Sequence, residues 1–368
     1  METEELGYQS VRTYQTGLEL LGSINDCIKL NMNLRCASQI LYSITSFQCS
    51  HPDEVYAALL LLPWENIIPG DGYFSVTSNV SHPSITNTLF ANVKVKDAIV
   101  DRMRNETGKR PDSGPMQDHT VVHLYWKDET AEIFLDTSGE TLAKHGYRKI
   151  PGKAPMLESL AAATLLATKW DLASPFINPM CGSATIAIEA ALIATGRRPG
   201  LFRSNYAFMH ILGYDSTVYE TEKQHLAEQV KEVEGLKIIA TDISEDAINI
   251  SKINAAAAGV EQCIAFDVCD FEITEIPEEA AGVVFFNPEY GDRLGDEAEL
   301  QQTYARMGDF LKKRCKGYTG YIFTGNLELA KKIGLKATRR IEFFTGKIDC
   351  RLLEYELYAG TKRVGAEG

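Results

Sequence analysis

Apolar residues recur at helical spacing in two stretches of the first 150 residues. This periodicity predicts helices over Asn33–Phe47 and Val93–Arg104. Thr120–Tyr125 and Ala131–Asp136 alternate between apolar and polar residues instead, and the charged residues Lys127–Glu129 between them predict a hairpin. The first part of the chain is therefore expected to be an α+β region.

From about residue 175 onward, short apolar runs alternate with helical patterns. The predicted strands are Pro175–Asn178, Lys237–Thr241, Ile264–Val268, Gly282–Phe286 and Tyr321–Thr324, and the predicted helices are Thr185–Thr195, Ser244–Ala258, Glu297–Arg314 and Leu327–Ile333. Two further runs, Arg340–Thr345 and Arg351–Leu357, predict a closing antiparallel hairpin. Such alternation is typical of a doubly wound, mostly parallel sheet. The cluster of breakers in Arg148–Pro155 predicts a linker between the two regions.

Composition narrows the class of protein. The net charge of −13 argues against a protein that coats nucleic acid nonspecifically. Residues 305–351 nevertheless carry 12 basic and 4 acidic side chains, which suits either a local anion-binding face or ordinary solvated helices. The N-terminal segment lacks the features of a secretory signal, and the chain contains no apolar run of about 18 residues. Eight scattered cysteines without a C-x-x-C pair predict reduced thiols, a cytoplasmic location and no metal site.

The first predicted strand of the parallel sheet ends in a turn of small residues, Asn178–Thr185 (NPMCGSAT). Small residues let backbone approach a ligand and leave the N–H groups of the next helix free. The turn lacks the G-x-G-x-x-G fingerprint and the Walker lysine, so a dinucleotide or phosphate cradle is disfavoured. Taken alone, the segment suits a tight turn as well as a cofactor loop.

Acidic residues follow the next two predicted strands. Asp242 can hold both hydroxyls of a ribose, although an acid beside Ser244 also suits the start of a helix. Asp270 is placed to accept a hydrogen bond from an adenine amino group, with Asp267 as the alternative.

Asn287–Gly291 (NPEYG) follows the fully apolar strand. The side-chain oxygen of Asn287 and the carbonyl oxygen of Pro288 can accept both N–H bonds of a planar amine, and the ring of Tyr290 can stack on it. The alternative is an Asn-Pro turn, which is common at strand ends.

Together these residues resemble a known family. The second half is similar to class I (Rossmann-like) methyltransferases that use S-adenosyl-L-methionine (AdoMet). Residues 17–357 resemble the THUMP-domain RNA methyltransferases of the RlmL type, which modify the 2-amino group of guanine in bacterial large-subunit rRNA. The similar segments are Leu135–Glu140 (LDTSGE), His145–Arg148 (HGYR), Ala154–Glu158 (APMLE), Asn178–Ser183 (NPMCGS), Ile188–Ala191 (IEAA), Asn287–Gly291 and Gly346–Arg351 (GKIDCR). The GKIDCR and DTSGE segments are the most specific, because the Asn-Pro-x-Tyr box also occurs in enzymes that methylate DNA adenine, cytosine or protein glutamine.

The resemblance implies a fold and a domain plan. Residues 1–45 would form a partial ferredoxin-like subdomain, because relatives begin with an extra strand and helix. Residues 46–153 would form the RNA-binding THUMP domain, and residues 154–368 the Rossmann-like methyltransferase domain with its C-terminal antiparallel hairpin.

The resemblance also implies roles for site residues. AdoMet, the methyl donor, would lie against Asn178, Pro179, Cys181, Gly182, Ser183 and Ala184, with its ribose on Asp242 and its adenine on Asp270. The catalytic set would be Asn287, Pro288, Glu289 and Tyr290, acting on guanine in 23S rRNA, either naked or in a ribosome-assembly precursor. A tRNA guanine methyltransferase and a catalytically silent RNA-binding protein are the alternatives.

The sequence departs from the family pattern at three positions. Asn178 stands where the family usually has an acid, Ala184 replaces a glycine and Glu289 replaces a proline. Ala184 would weaken cofactor binding if its φ must be positive. We hypothesise that Glu289 accepts hydrogen bonds from the Watson–Crick edge of guanine. Basic residues expected to contact phosphates beside the catalytic face are Arg197, Arg198, Arg339, Arg340 and Lys347.

Overall fold

The computed structural model describes residues 2–83, 85, 87–153, 155–278, 281–290, 297–345 and 348–358. The chain forms two compact units. One consists of the residues up to His145 together with Arg198–Gln229, and the other of Gly146–Arg197 together with the residues from Val230 onward. None of the helices in the described ranges combines the length and the apolar character needed to cross a bilayer.

The elements follow one another in chain order, with short 3-10 turns between some of them. The first are α1 (Glu2–Glu5), β1 (Ser10–Tyr14), β2 (Gly17–Leu20), α2 (Ile24–Asn33), β3 (Leu41–Gln48), α3 (Pro52–Leu60), β4 (Tyr73–Ser81), α4 (Thr88–Thr107), β5 (Asp112–Ser113), β6 (Thr120–Lys127) and β7 (Thr130–Asp136). The rest are α5 (Glu158–Leu166), β8 (Phe176–Pro179), α6 (Thr185–Ala194), α7 (Ser216–Glu228), β9 (Ile238–Asp242), α8 (Glu245–Ala257), β10 (Ile264–Val268), β11 (Val283–Phe286), α9 (Glu297–Arg314), β12 (Thr319–Thr324), α10 (Leu327–Lys332), β13 (Arg339–Thr345) and β14 (Ile348–Glu356).

The first unit is built on a five-stranded sheet in the order β3-β7-β6-β4-β5. The predicted hairpin of β6 and β7 and the predicted helix within α4 are confirmed. The side chains of Trp64, Phe74 and Trp126 are completely buried in its core. The β1–β2 ribbon forms a separate two-stranded sheet.

The helix predicted over Asn33–Phe47 is wrong. Helix α2 ends at Asn33, and Leu41–Gln48 pairs antiparallel with β7 as strand β3. A strand is favoured here because β-branched and aromatic side chains such as Ile44, Thr45 and Phe47 pack well on a sheet. The apolar spacing of the segment fits a helix, but pairing with β7 satisfies its backbone.

The LDTSGE segment has a structural role in the first unit. The buried Asp136 carboxylate accepts hydrogen bonds from the N–H groups of Ser138 and Gly139 at 2.9 and 3.3 Å. Gly139 has φ +77°, and a Cβ there would lie 2.5 Å from the carbonyl oxygen of Gln117, so only glycine fits. Arg203 donates to the carbonyl oxygens of Ser138 and Glu140 at 2.9 and 2.7 Å. The motif therefore holds the later segment Arg198–Gln229 within this unit.

The second unit contains a seven-stranded sheet in the order β10-β9-β8-β11-β12-β14-β13. The five strands from β10 to β12 are parallel, and β14 is antiparallel to both of its neighbours. This is the predicted doubly wound sheet with a closing antiparallel hairpin. Strands β8 and β11 are buried along their whole length, and the unbroken apolar sequence of β11 predicts this burial.

Candidate active site

Two predicted site segments lie next to each other at the edge of the second sheet. The segment from Asn178 to Ala184 follows β8, and the box Asn287–Tyr290 follows β11, which is the neighbour of β8. The order of strands reverses between β8 and β11, because β9 lies on the other side of β8. In open α/β sheets such a reversal opens a crevice at the carboxyl ends of the strands, and ligands bind there.

Asn178 connects these two strands. Its side chain is buried, and its amide nitrogen donates a 2.9 Å hydrogen bond to the carbonyl oxygen of Phe285 in β11. The amide suits this position better than the acid of the family pattern, because an ionised carboxylate would face a carbonyl oxygen. The other amide atom, Oδ1, is buried and makes no hydrogen bond with a described residue.

The loop after Asn178 is shaped by left-handed backbone. Met180, Gly182 and Ala184 have φ values of +53°, +57° and +54°. The N–H of Cys181 donates to the carbonyl oxygen of Thr241 at 2.9 Å. Ala184 is fully buried and begins α6 without a side-chain cap. Ala184 therefore has the positive φ at which its methyl group was expected to weaken cofactor binding.

Ser183 and Cys181 also lie in this loop. Ser183 is buried, and its hydroxyl lies 3.4 Å from that of Thr185 in α6. Burial raises the pKa of the Cys181 thiol to about 12, so the thiol is neutral at physiological pH. The fully buried Ser251 of α8 donates to the carbonyl oxygen of Gly182 at 2.8 Å. Pro179 is buried in β8 beside Thr241.

Asp242 fixes the same loop from the end of β9. One carboxylate oxygen accepts from the N–H of Gly182 at 2.9 Å, and the other accepts from the N–H of Ser244 at 3.0 Å. Each oxygen keeps a second lone pair, and the side chain is only partly buried. Asp242 can therefore shape the loop and still accept hydrogen bonds from a ligand.

Asp270 follows β10 and is paired with a residue that sequence reasoning missed. Nη2 of Arg306 lies 2.9 and 2.8 Å from its two carboxylate oxygens, and 2.7 Å from Glu272. Partial burial raises the pKa of Asp270, but the hydrogen bonds from Arg306 and from the N–H of Glu272 outweigh it and leave the pKa lowered. The alternative, Asp267, is exposed, and its carboxylate accepts from the N–H of Val268.

The segment between residues 148 and 153 packs against the loop after β8. Nη2 of Arg148 donates to Thr185 Oγ1 at 3.0 Å. Gly152 packs closely on the loop, since a Cβ at this position would lie 3.4 Å from the side chain of Ser183. The buried Asn254 of α8 accepts from the N–H groups of Lys149 and Ile150. These contacts add Arg148 and Asn254 to the residues that hold the loop in place.

The Asn-Pro-Glu-Tyr box is anchored by its backbone. Pro288 is buried, and the buried hydroxyl of Tyr304 in α9 donates to the carbonyl oxygen of Glu289 at 3.3 Å. The side chains of Asn287 and Glu289 make no hydrogen bond or ion pair with any residue that the structure describes. Asn287 is partly buried and Glu289 is exposed, so both can receive a ligand.

Tyr290 lies against the closing hairpin. Its ring packs edge-on against Phe323 at 6.2 Å, and a Cβ at Gly325 would lie 2.9 Å from it. The Cys350 thiol, in the GKIDCR segment, donates to its hydroxyl at 3.9 Å. Burial, followed by the proximity of Cys350, raises the pKa of Tyr290. The predicted Gly291, Gly346 and Lys347 lie outside the described residues.

Three of the other residues expected to contact phosphates, Arg197, Arg339 and Arg340, lie away from the carboxyl ends of the parallel strands. Arg339 pairs with Glu354 at 3.1 Å, next to Tyr321, near the amino end of β12. Arg340 is its neighbour in β13. Arg197 follows the C-terminus of α6, which starts after the loop that follows β8 and runs back along the sheet. Arg198 belongs to the first unit. The expected position of Arg197, Arg339 and Arg340 beside the catalytic face is therefore wrong, because α6 and the antiparallel strands return the chain to the opposite edge of the sheet.

Two family comparisons match this architecture. Residues 49–136 match the THUMP domain. Residues 145–354 match the RMKL-like methyltransferase domain, which is more than half of the chain. The chain belongs to the RMKL-like methyltransferase family. The expected resemblance to THUMP-domain methyltransferases is thus confirmed.

Individual members of the family extend the comparison. The chain is 34% identical over 97% of its length to the "Ribosomal RNA large subunit methyltransferase K/L" of Syntrophotalea carbinolica, and equally to that of Allochromatium vinosum. It covers 51% and 49% of these two proteins, so the chain spans about half the length of the curated relatives it matches. The crystal structure of SMU.472 complexed with SAH aligns with a TM-score of 0.88 at 26% identity, covering 98% of this chain and 94% of the other.

Proposed function

We propose that the chain transfers a methyl group from AdoMet to the exocyclic 2-amino group of a guanine in 23S rRNA. The observation that carries this proposal is the adjacency of the loop after β8 and the anchored Asn287–Tyr290 box, whose Asn287 amide has no described partner. The names of the curated relatives support rRNA as the substrate, and the THUMP match supports RNA binding by residues 46–153. A cytoplasmic location follows from this substrate, and the eight free cysteines are compatible with it.

The residues present fit AdoMet. The first turn of α6 has no side-chain cap, so its N–H groups can bind the carboxylate of the methionyl part. The free lone pairs of Asp242 suit the ribose hydroxyls, and Asp270 suits the adenine amino group. Among the described residues there is no cluster of His, Cys, Asp or Glu that could hold a metal ion. When bound, AdoMet supplies an electrophilic methyl group on a sulfonium.

The chain's own residues prepare the nucleophile. The target guanine leaves its stack at a cost of a few kcal/mol and lies against Tyr290. The side-chain oxygen of Asn287 and the carbonyl oxygen of Pro288 accept the two amino protons. This draws the nitrogen lone pair out of conjugation and directs it along the line of attack. Positioning of this kind contributes roughly 7–11 kcal/mol in favourable cases.

The experiment measures AdoMet binding and methyl transfer separately. Calorimetric titration of the full chain with AdoMet is expected to give one binding site. Asp242→Asn should lower the affinity for AdoMet at least about tenfold, because the amide has fewer acceptors for the ribose hydroxyls and for the N–H groups of the loop. Asp246→Asn, an exposed acid in the first turn of α8, is the matched control and keeps full affinity.

Methyl transfer is then followed on 23S rRNA and on tRNA, both prepared without the modification, and the product nucleoside is identified by mass mapping. N2-methylguanosine in 23S rRNA is expected. Methylation of tRNA alone would contradict the substrate, and the absence of AdoMet uptake would favour a silent RNA-binding protein.

A further inference from the structure

The acceptors for the amine do not by themselves select a base. The side-chain oxygen of Asn287 and the carbonyl oxygen of Pro288 recognise two N–H bonds on a planar amine. Guanine N2, adenine N6 and cytosine N4 all present such a group, so the same pair of acceptors fits three bases. Selection of guanine requires a further contact beside the amine.

The ring nitrogen next to the amine distinguishes these bases. In guanine, one of the two ring nitrogens beside the amine, N1, carries a proton and is a donor. The nitrogens in the corresponding positions of adenine and cytosine are unprotonated acceptors. An anionic acceptor placed beside the amine would therefore attract guanine and repel the other two, which combines recognition with exclusion.

Glu289 is the acidic residue within the box itself. It lies between Pro288 and Tyr290, and its carbonyl oxygen is held at 3.3 Å by the hydroxyl of Tyr304. Its backbone is therefore fixed within the box. Its carboxylate is exposed and forms no ion pair or hydrogen bond with any described residue, so no described cation neutralises it.

We propose that the Glu289 carboxylate accepts the N1–H of the target guanine and excludes adenine and cytosine from the box. This inference rests on the proposed function, because it concerns the base that enters the same site. Glu289 then determines specificity, while Asn287 and Pro288 bind the amine in any base.

The test replaces the target guanine by 2-aminopurine, which keeps the 2-amino group but has an unprotonated N1. The substrate is an rRNA fragment carrying the guanine that mass mapping identifies for the parent. The parent is expected to methylate guanine at least about 100-fold more efficiently than 2-aminopurine, measured as kcat/KM, since a site built to bind a donor rejects an analogue without it.

Glu289→Gln is the diagnostic variant. Its neutral amide can accept from guanine N1–H or donate to the unprotonated N1 of 2-aminopurine. Discrimination is therefore expected to fall below about tenfold, mainly by a gain on 2-aminopurine. Glu299→Gln, an exposed acid in the first turn of α9, is the matched control and should discriminate like the parent.

The outcomes separate the two proposals. If the parent methylates guanine and Glu289→Gln keeps the full 100-fold discrimination, the inference about Glu289 is overturned and the proposed function stands. Equal use of guanine and 2-aminopurine by the parent also overturns it. If the parent binds AdoMet but methylates no guanine in any RNA, the proposed function itself fails.

Discussion

The hydroxyl of Tyr304 donates a hydrogen bond to the carbonyl oxygen of Glu289, and the oxygen of that Tyr304 hydroxyl lies 2.9 Å from the hydroxyl oxygen of Thr324. Burial raises the pKa of Tyr304 to about 12, so it remains a neutral donor at physiological pH. One buried hydroxyl thus connects α9 and the end of β12 to the box that follows β11. We regard Tyr304 as a positioning residue.

Tyr304→Phe is expected to lower kcat about tenfold and the free energy of unfolding by about 1 kcal/mol, because the box loses one backbone anchor. AdoMet affinity should stay unchanged. Tyr318→Phe is the matched control, since the Tyr318 hydroxyl donates to the carbonyl oxygen of Pro277 at 2.6 Å. It should cost similar stability without a change in kcat. Equal kcat for both variants and the parent would contradict a positioning role.

Ala184→Gly is expected to increase the free energy of unfolding by up to about 1 kcal/mol. Ala184 has φ +54°, a conformation that costs a residue with a Cβ roughly 1 kcal/mol or more and costs glycine almost nothing. Ala187→Gly is the control, because Ala187 lies within α6, where glycine costs about 1 kcal/mol. Urea unfolding of both variants should show shifts of opposite sign. A loss of stability in both would mean that the left-handed conformation is not a source of strain.

Arg306→Gln is expected to make stability less dependent on pH. Asp270 has a lowered pKa in the folded chain, so its pairing with Arg306 contributes above the ordinary pKa of 3.8 and is lost as the pH falls through the lowered value. Because both side chains are about one-third exposed, the loss at pH 7 should be only about 0.5 kcal/mol. The difference from the parent should shrink as the pH falls below 3.8 and disappear once Asp270 is protonated in the folded chain.

The control for this prediction is Lys313→Gln, which removes an exposed pair with Asp309 at 3.1 Å. Its effect on stability should be smaller than that of Arg306→Gln at pH 7. A difference between the parent and Arg306→Gln that persists unchanged at a pH low enough to protonate Asp270 would contradict the assigned ion pair.

The sequence was most informative where burial dictates the pattern. Strand β11 is buried on both faces, and its unbroken apolar run, Val283–Phe286, could be read directly. Strand β10 and helix α9 have the predicted bounds, since Asp270 and the charged residues after Phe310 mark their ends. Local sequence therefore predicted the alternation of strands and helices. That alternation in turn indicated that the polar site residues lie at the carboxyl ends of the parallel strands.

Contacts between distant residues were not predictable. Arg306 lies 36 positions after Asp270, and nothing in the sequence distinguishes it from other basic residues of α9. The same limit explains the error at β3, where pairing with β7 overrides a local helical pattern. Arg339 was misplaced because its ion pair with Glu354 depends on the direction of the closing strands.

The position of β14 within the sheet has a consequence for synthesis of the protein. This strand is hydrogen-bonded between β12 and β13, although it comes last of the three in the sequence. It also contains Cys350, which contacts Tyr290. A nascent chain can complete its sheet only after Ile348–Glu356 has left the exit tunnel of the translating ribosome. A chain released before that point would lack β14, and Tyr290 would lose its contact with Cys350.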